Sequence, residues 1–285
     1  MNIRIVKTIR EMQDVAERFR CEGKSIAVVP TMGYLHRGHA SLIERARSLA
    51  DVVITTIFVN PTQFAPNEDF KSYPRDLERD KRIAEDAGTD IIFFPDTADM
   101  YPAGFSSKVE EEKASRILEG AFRPIHFRGV TTVVAKLFHI TKPHIAIFGQ
   151  KDAQQAFILR KMVKDLNFDI NIIVAPIVRE EDGLALSSRN VYLHETERKD
   201  ALVLYRSLQY AAARIQAGER DTTILRVEME NIIKSVHTSS IDYIAFINPK
   251  VFEETDIIVP PEILVALAVR IGTTRLIDNM HIHFS

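Results

Sequence analysis

Pro30-Thr31-Met32-Gly33-Tyr34-Leu35-His36-Arg37-Gly38-His39 is the stretch on which the reading of the fold turns. Just before it, Ile26-Ala27-Val28-Val29 is an unbroken apolar run, the pattern of a short strand buried on both faces. Just after it, Leu42, Ile43, Ala46 and Leu49 recur at helical spacing across residues 39–50. The stretch is therefore a strand-to-helix turn, and its two glycines mark the turn. The same alternation runs to about residue 175. A helix over 7–22 stops at Gly23, and the β-branched run Val52–Val59 ends at Asn60-Pro61. A helix over 74–87 stops at Gly88, and the strand Asp90–Phe94 ends at Pro95. Val130–Ile140 reads as a helix, His144–Phe148 as a strand, Ala153–Leu166 as a helix and Asn171–Ala175 as a strand. Such alternation predicts an α/β fold, a Rossmann-like doubly wound parallel sheet.

After Pro176 the order changes. A polar loop over 179–190 precedes two helical segments, 195–217 and 222–236. Three strand-like runs follow: Ile241–Ile247, Leu264–Ile271 and Thr274–Met280. The expected organisation is a Rossmann-like nucleotide-binding domain over 1–176 and a smaller α+β C-terminal domain, a lid, over 177–285.

Composition narrows the class. The 285 residues suggest about two domains. Thirty-seven Lys+Arg against 39 Asp+Glu leave a net charge of −2, and 46% of residues are hydrophobic. That excludes a disordered chain and speaks against a non-specific nucleic-acid binder, which needs a large positive field. The single Cys21 excludes an intrachain disulfide and a multi-cysteine zinc site. No apolar run approaches the ~18 residues of a membrane span, so no membrane partner is expected. The N-terminal Met1-Asn2-Ile3-Arg4-Ile5-Val6-Lys7 lacks the apolar core of a signal peptide, so the expected location is the cytoplasm.

In an open parallel sheet, ligands bind beyond the carboxyl ends of the strands, where the quoted turn lies. Backbone N–H groups at a helix start attract phosphate, and Gly33 and Gly38 allow close approach to the main chain. His36 and His39 stand three apart at the start of the helix, where two imidazoles can hydrogen-bond phosphate oxygens. A metalloprotease reading fails, because that motif needs His at i and i+4 with a Glu beside the first. Gly149-Gln150-Lys151-Asp152 follows a strand in the same way; Lys151 offers a compact positive charge, and Asp152 is placed to cap the next helix. Gln63 and Gln155 carry both donors and acceptors, which suits a small hydroxy acid; Asn60 and Gln154 are weaker candidates of the same kind. His281-x-His283 suits a metal if it lies on a strand, but reads as a frayed or interfacial tail, so no metal site of the protein's own is expected.

The quoted segment resembles the His-x-Gly-His signature of the nucleotidylyltransferase and class I aminoacyl-tRNA synthetase superfamily, and the longer string resembles the pantothenate synthetase (pantoate–β-alanine ligase) family. Further segments match that family in its order: Phe58-Val59-Asn60-Pro61-Thr62-Gln63-Phe64, Tyr73-Pro74-Arg75, His126-Phe127-Arg128-Gly129-Val130, Phe148 through Gln155, and Asp182 through Asn190. The resemblance implies ATP-dependent condensation of pantoate with β-alanine through a pantoyl adenylate, with release of AMP and pyrophosphate. It implies that Met32, Gly33, Tyr34, Leu35, His36, Arg37, Gly38 and His39 cradle ATP, with His36 and His39 near its phosphates and His39 as proton donor. Gly149, Gln150, Lys151 and Asp152 would bind ATP, with Lys151 on phosphate and Asp152 near the ribose. Gln63 and Gln155 would bind pantoate, with Gln63 also near β-alanine. The backbone of Val178 would meet adenine, and Leu186, Ser187, Ser188 and Arg189 would close over the triphosphate. Mg²⁺ would enter with ATP, and the protein would be a homodimer. Two positions depart from the family: Leu186 where Met is usual and Ala153 where an aromatic is common; neither removes a reacting group.

Two other readings compete. A nucleotidylyltransferase acting on a phosphorylated small molecule accounts for His36 and His39 but not for Gln63 and Gln155. A synthetase-like RNA-binding module conflicts with the net charge and the absence of an aromatic–basic stripe.

Overall fold

The computed structural model describes residues 3–66, 68 and 70–284. Met1 and Asn2, part of the N-terminal run read above, lie outside them. The chain divides into two compact units, one of residues 1–150 and 154–176, the other of Lys151–Ala153 and Ile177–Ser285.

The first unit runs β1 (Arg4–Val6), α1 (Ile9–Cys21), β2 (Ile26–Thr31), α2 (Arg37–Arg47), β3 (Val52–Ile57), α3 (Leu77–Asp86), β4 (Ile91–Phe93), α4 (Thr97–Met100), α5 (Glu119–Phe122), α6 (His126–Thr141), β5 (Ile145–Gly149), α7 (Ala153–Asp165) and β6 (Asn171–Ala175). The six strands form one parallel sheet in the order β1-β4-β3-β2-β5-β6. From β2 the chain steps outward to β3 and β4, then returns to place β5 and β6 on the other side of β2. The order reverses between β2 and β5, which defines the switch point where an open sheet binds ligands.

Side-chain alternation buries both faces. Ile26, Val28, Ile54, Phe93 and Phe148 join a core with Met12 and Val15 of α1 and Val134 and Phe138 of α6. Ala27, Val29, Val53, Ile92 and Ile147 join a second core with Ile43 and Ala46 of α2 and Ala84 of α3. Successive residues of one strand thus feed opposite cores, as in a doubly wound sheet. Helix starts follow their caps. Glu11 N donates to Thr8 Oγ1 at 3.3 Å, and Arg79 N to Asp76 Oδ1 at 3.0 Å, so the third helix begins at Leu77 rather than residue 74.

The second unit holds α8 (Glu195–Asp200), α9 (Leu202–Gln216), α10 (Thr222–Ile233), β7 (Ser239–Asn248), β8 (Glu253–Glu254), β9 (Glu262–Ile271) and β10 (Thr274–His283). Its strands form an antiparallel sheet in the order β10-β9-β7-β8. Leu204, Leu208 and Met229 of the helices pack on Phe246, Val265 and Leu267 of the strands. The segment read as one helix over 195–217 is two, meeting at Ala201. The tail reading of His281 and His283 is corrected. Both lie in β10, whose pairing with β9 continues to His283 opposite Glu262. Phe284 N donates to Pro261 O at 2.9 Å and Gln216 Nε2 to His283 O at 2.8 Å, which holds that end of the strand. Among the described residues, no helix is long and apolar enough to cross a membrane.

Candidate active site

The Met32–His39 turn leaves the carboxyl end of β2, and Gly149 is the last residue of β5, so the two glycine-containing motifs leave the strands that flank the switch point. The first turn is gripped from below. Thr31 Oγ1 donates to Thr56 O at 2.7 Å and accepts from Gly33 N at 3.2 Å. Gly33 has φ +84°, and a Cβ there would stand 3.0 Å from Asp80 Oδ2 and 3.1 Å from Ile57 Cγ2. Both the backbone sign and the space demand glycine. Asp80, 2% exposed on α3, accepts from Tyr34 N at 2.8 Å and from Leu35 N at 2.6 Å. Burial raises its carboxyl above the ordinary range, against the opposing pull of those two N–H groups and the Arg79 charge. Tyr34 takes φ +49°, beneath the Arg79 guanidinium 4.6 Å from its ring.

His36 is the N-cap of α2. Its Nδ1 accepts from Gly38 N at 3.1 Å, and His39 Nδ1 accepts from His36 N at 3.3 Å. This is a capping box written in histidine, and it starts the helix at Arg37, two residues before the periodicity indicates. The hydrogen-bond pattern assigns both rings a lone pair on Nδ1, so each neutral ring carries its hydrogen on Nε2. The two rings lie 4.1 Å apart, centroid to centroid.

Asn60-Pro61-Thr62-Gln63 makes a 3-10 turn after β3. Asn60, 1% exposed, donates to Gln63 Oε1 and to Gly129 O, both at 3.1 Å, and accepts from Tyr101 Oη at 2.8 Å. Gln63 Nε2 reaches Met32 Sδ at 2.8 Å, which joins the expected hydroxy-acid amide to the expected ATP turn. The His-Phe-Arg-Gly segment opens α6 and supports this arrangement. A Cβ on Gly129 would lie 2.5 Å from Thr62 O and 2.7 Å from Gln63 Cα, so the helix and the turn touch backbone to backbone. His126 Nδ1 meets Gln63 O at 3.1 Å, and its Nε2 faces Arg123 Nη1 at 3.3 Å. Arg123 is paired with Glu68 at 2.5 Å.

Burial first, and the Arg123 charge second, lower the His126 pKa from 6.5 to about 4. The unfolded chain therefore holds a proton that the folded chain lacks between those values, and acidification through that window favours unfolding. Stability from this group is complete above about pH 6.5 and falls by about 3 kcal/mol at most as pH approaches 4. His126→Gln is expected to flatten the decline of the urea midpoint between about pH 7 and about pH 4.5. Equal slopes in variant and parent would remove His126 as its source.

At the second motif, a Cβ on Gly149 would meet nothing nearer than Leu42 Cδ1 at 4.0 Å, so the fold itself makes no demand for glycine. Gln150–Asp152 form a 3-10 turn running straight into α7, with Asp152 the residue immediately before the helix. The adjacent glutamines diverge. Gln154, 6% exposed, donates to Ala114 O and Ile117 O, both at 2.7 Å, and accepts from Glu119 N at 3.1 Å, so its amide is committed to structure. Gln155 is half-buried on α7 and takes no part in that set.

In the second unit, Leu186 N donates to Val178 O at 3.0 Å, which brings two expected ATP contacts together. Ser187 caps a 3-10 turn over Ser188–Tyr192, its Oγ accepting from Arg189 N at 3.3 Å. The polar loop is a braced hairpin. Arg179 pairs with Asp278 at 2.6 and 2.8 Å, donates to Gly183 O at 3.0 Å and stacks 4.1 Å over the Tyr205 ring. Burial raises the Asp278 carboxyl despite Arg179. Next to it on β10, Asn279 Nδ2 donates to Lys151 O at 3.0 Å, so β10 braces both the Val178–Leu186 hairpin and the Lys151 backbone.

The family model for pantoate-beta-alanine ligase matches residues 4–281. A pantothenate synthetase of Geobacter sulfurreducens is 54% identical over 97% of this chain and 98% of its own length. The chain belongs to the pantoate–β-alanine ligase family. A second relative in the family, the pantothenate synthetase of Caldicellulosiruptor saccharolyticus, is 52% identical over 97% of this chain and 98% of its own. Two solved ligases share the fold. The pantothenate synthetase of Thermus thermophilus superposes with a TM-score of 0.92 at 43% identity, covering 98% of this chain and 99% of that one. The pantoate-beta-alanine ligase of Francisella tularensis, complexed with beta-gamma ATP and beta-alanine, superposes at 0.80 with 36% identity, covering 98% and 97%.

Within this pantoate–β-alanine ligase fold, sequence reading missed Asp80, Arg179, Asp278 and Asn279. Asp80 reads as one more charge on an amphipathic helix, and the other three carry no motif of their own. His126 and Gly129 were visible as a motif without a task; their task is to hold the Asn60–Gln63 turn.

Proposed function

We infer that this protein joins pantoate to β-alanine, with ATP cleaved to AMP and pyrophosphate. The observation that carries this reading is the junction of Gln63 with Met32, which sets a neutral amide beside a phosphate-type helix start. In the first step a pantoate carboxylate oxygen attacks the α-phosphorus of ATP, forming pantoyl adenylate as pyrophosphate leaves. In the second, the β-alanine amine attacks the acyl carbon, the amide bond forms, and AMP leaves with the carboxylate oxygen.

Met32 through His39 receive ATP. His36 and His39 direct their Nε2 hydrogens to phosphate oxygens and stabilise the charge gathering on the leaving pyrophosphate. With Nδ1 committed to the His36 N–H, loss of the Nε2 hydrogen would leave His39 an imidazolate. We therefore assign His39 hydrogen-bond donation rather than outright proton transfer. Gly149 gives ATP close approach; that the fold makes no demand for glycine there supports this role. Lys151 adds positive charge, and Gln150 and Asp152 complete the segment. Gln63 and Gln155 bind the hydroxyl and carboxylate of pantoate, with Gln63 also near β-alanine. Val178, Leu186, Ser187, Ser188 and Arg189 serve adenine and the triphosphate. Mg²⁺ enters with ATP, since it keeps its waters and binds substrate phosphates without a protein cage. Family membership supports a homodimer and a cytoplasmic enzyme; light scattering that returns the monomer mass would reject the dimer.

The test is product balance. With ATP, Mg²⁺, pantoate and β-alanine, one AMP and one pyrophosphate are expected for each pantothenate; ADP and phosphate would overturn the reading. Gly129→Ala tests the support of Gln63. Its Cβ meets backbone that no side-chain rotation can clear, so a loss of about 1–3 kcal/mol in stability is expected. In steady-state kinetics the KM for pantoate should rise more than that for ATP. Parent-like KM values for both would separate the α6 contact from substrate binding.

A further inference from the structure

The second unit carries a cluster of metal-ligating side chains that the ligase reaction does not use. Glu262 opens β9, and His281 and His283 lie at the end of β10. In that antiparallel pair His283 stands opposite Glu262 and His281 opposite Leu264. Residues two apart on a strand project from one face, and a directly opposed residue joins them there. The side chains follow that rule: His281 Nε2 lies 2.9 Å and His283 Nδ1 3.7 Å from Glu262 Oε2, and the two rings are 4.5 Å apart. One ligand atom from each of the three residues lies within 4.8 Å of the other two.

We propose that Glu262, His281 and His283 form a two-histidine, one-carboxylate site for a divalent transition-metal ion of the Zn²⁺ or Ni²⁺ type. An ion held about 2.1 Å from each ligand keeps neighbouring ligand atoms roughly 3.0–3.4 Å apart. The two separations to Glu262 Oε2 bracket that range. The remaining closure falls to His283, whose side chain is 70% exposed and turns without disturbing the core. Two imidazoles select a borderline ion over Mg²⁺ or Ca²⁺, which take oxygen ligands. The backbone beneath is preformed, because β-pairing and the Phe284–Pro261 and Gln216–His283 hydrogen bonds fix the strand ends. The bound ion cross-links the first residue of β9 to the last of β10. Its effect is to stabilise the second unit, apart from ATP chemistry.

The test is calorimetric titration of the tag-free, full-length, metal-stripped protein with ZnCl₂ and, separately, NiCl₂. One site per chain is expected. His281→Gln and His283→Gln, made singly, should each weaken it about tenfold or more, since one of three inner bonds is lost. Glu262→Gln should weaken it as well. The His36→Ala/His39→Ala variant, which removes the other close histidine pair, should bind as the parent does. Zn²⁺ should raise the thermal midpoint of the parent and not that of the His281 or His283 variants. Absence of a one-per-chain site, or one that survives the His281 and His283 substitutions, overturns the proposal.

Discussion

His39→Gln is expected to cost pantothenate formation about 10²–10³-fold in kcat with little change in stability, because the two tasks of the ring separate in this variant. Nδ1 of His39 accepts the His36 N–H and completes the capping box of α2. Glutamine at the same position of a capping box performs that task in many helices. What glutamine does not reproduce is a donor at the reach and direction of Nε2. If the loss comes with an unchanged urea midpoint, His39 acts on the substrate; if kcat stays within a few-fold of the parent, His39 serves only the helix. The pH profile adds a second reading. A ring whose Nδ1 accepts the His36 N–H donates from Nε2 without being an imidazolium, so a donor role sets no requirement for kcat to fall as pH rises through the ordinary histidine range. A fall there would restore the proton-donor role.

Asp80→Asn is expected to lower both stability and turnover. The buried carboxylate takes the N–H groups of Tyr34 and Leu35, one on each oxygen. An amide offers one oxygen and turns an N–H group toward the other donor. Hydrogen bonds to a charged acceptor contribute about 1.5–3 kcal/mol each, so a loss of about 2–3 kcal/mol is expected, softened by removal of a buried charge. The turn it holds presents the ATP cradle, and a displacement of about 1 Å there costs roughly 10²-fold in kcat/KM. Asp80→Glu should recover less than a tenth of the parent activity, since the longer carboxylate crowds Gly33. The measurement is kcat/KM for ATP beside the urea midpoint; a normal kcat/KM in a destabilised Asp80→Asn would confine the residue to folding.

The parts of this enzyme that were legible share one property: the signal lies within a dozen residues. Ile26-Ala27-Val28-Val29 announces a strand because its neighbours in sequence are all apolar, and the structure feeds them to alternate cores. The Pro30–His39 turn is read from its own glycines and histidines. β1 escaped because a three-residue strand, Arg4–Val6, has no period to detect; its pairing with β4 makes it a strand. Asp80 escaped because its partners lie 45 and 46 positions away. Gln154 and Gln155 are indistinguishable as letters, yet adjacent positions on a helix point about 100° apart, so one amide turns to the backbone of 114–119 and the other does not. His281 and His283 were read as a tail because the apolar pattern gives out at Met280, whereas the backbone pairing of β10 with β9 runs three residues further, to His283 opposite Glu262.

The central claim is that the Met32–His39 cradle serves attack of the pantoate carboxylate on the α-phosphorus of ATP. Pantoate labelled with oxygen-18 in its carboxylate tests it in a single turnover mixture with ATP, Mg²⁺ and β-alanine, read by mass spectrometry of the nucleotide product. The expected result is AMP carrying one oxygen-18 atom for each pantothenate formed. Pantothenate made with the label absent from AMP, or found instead in inorganic phosphate, would contradict it.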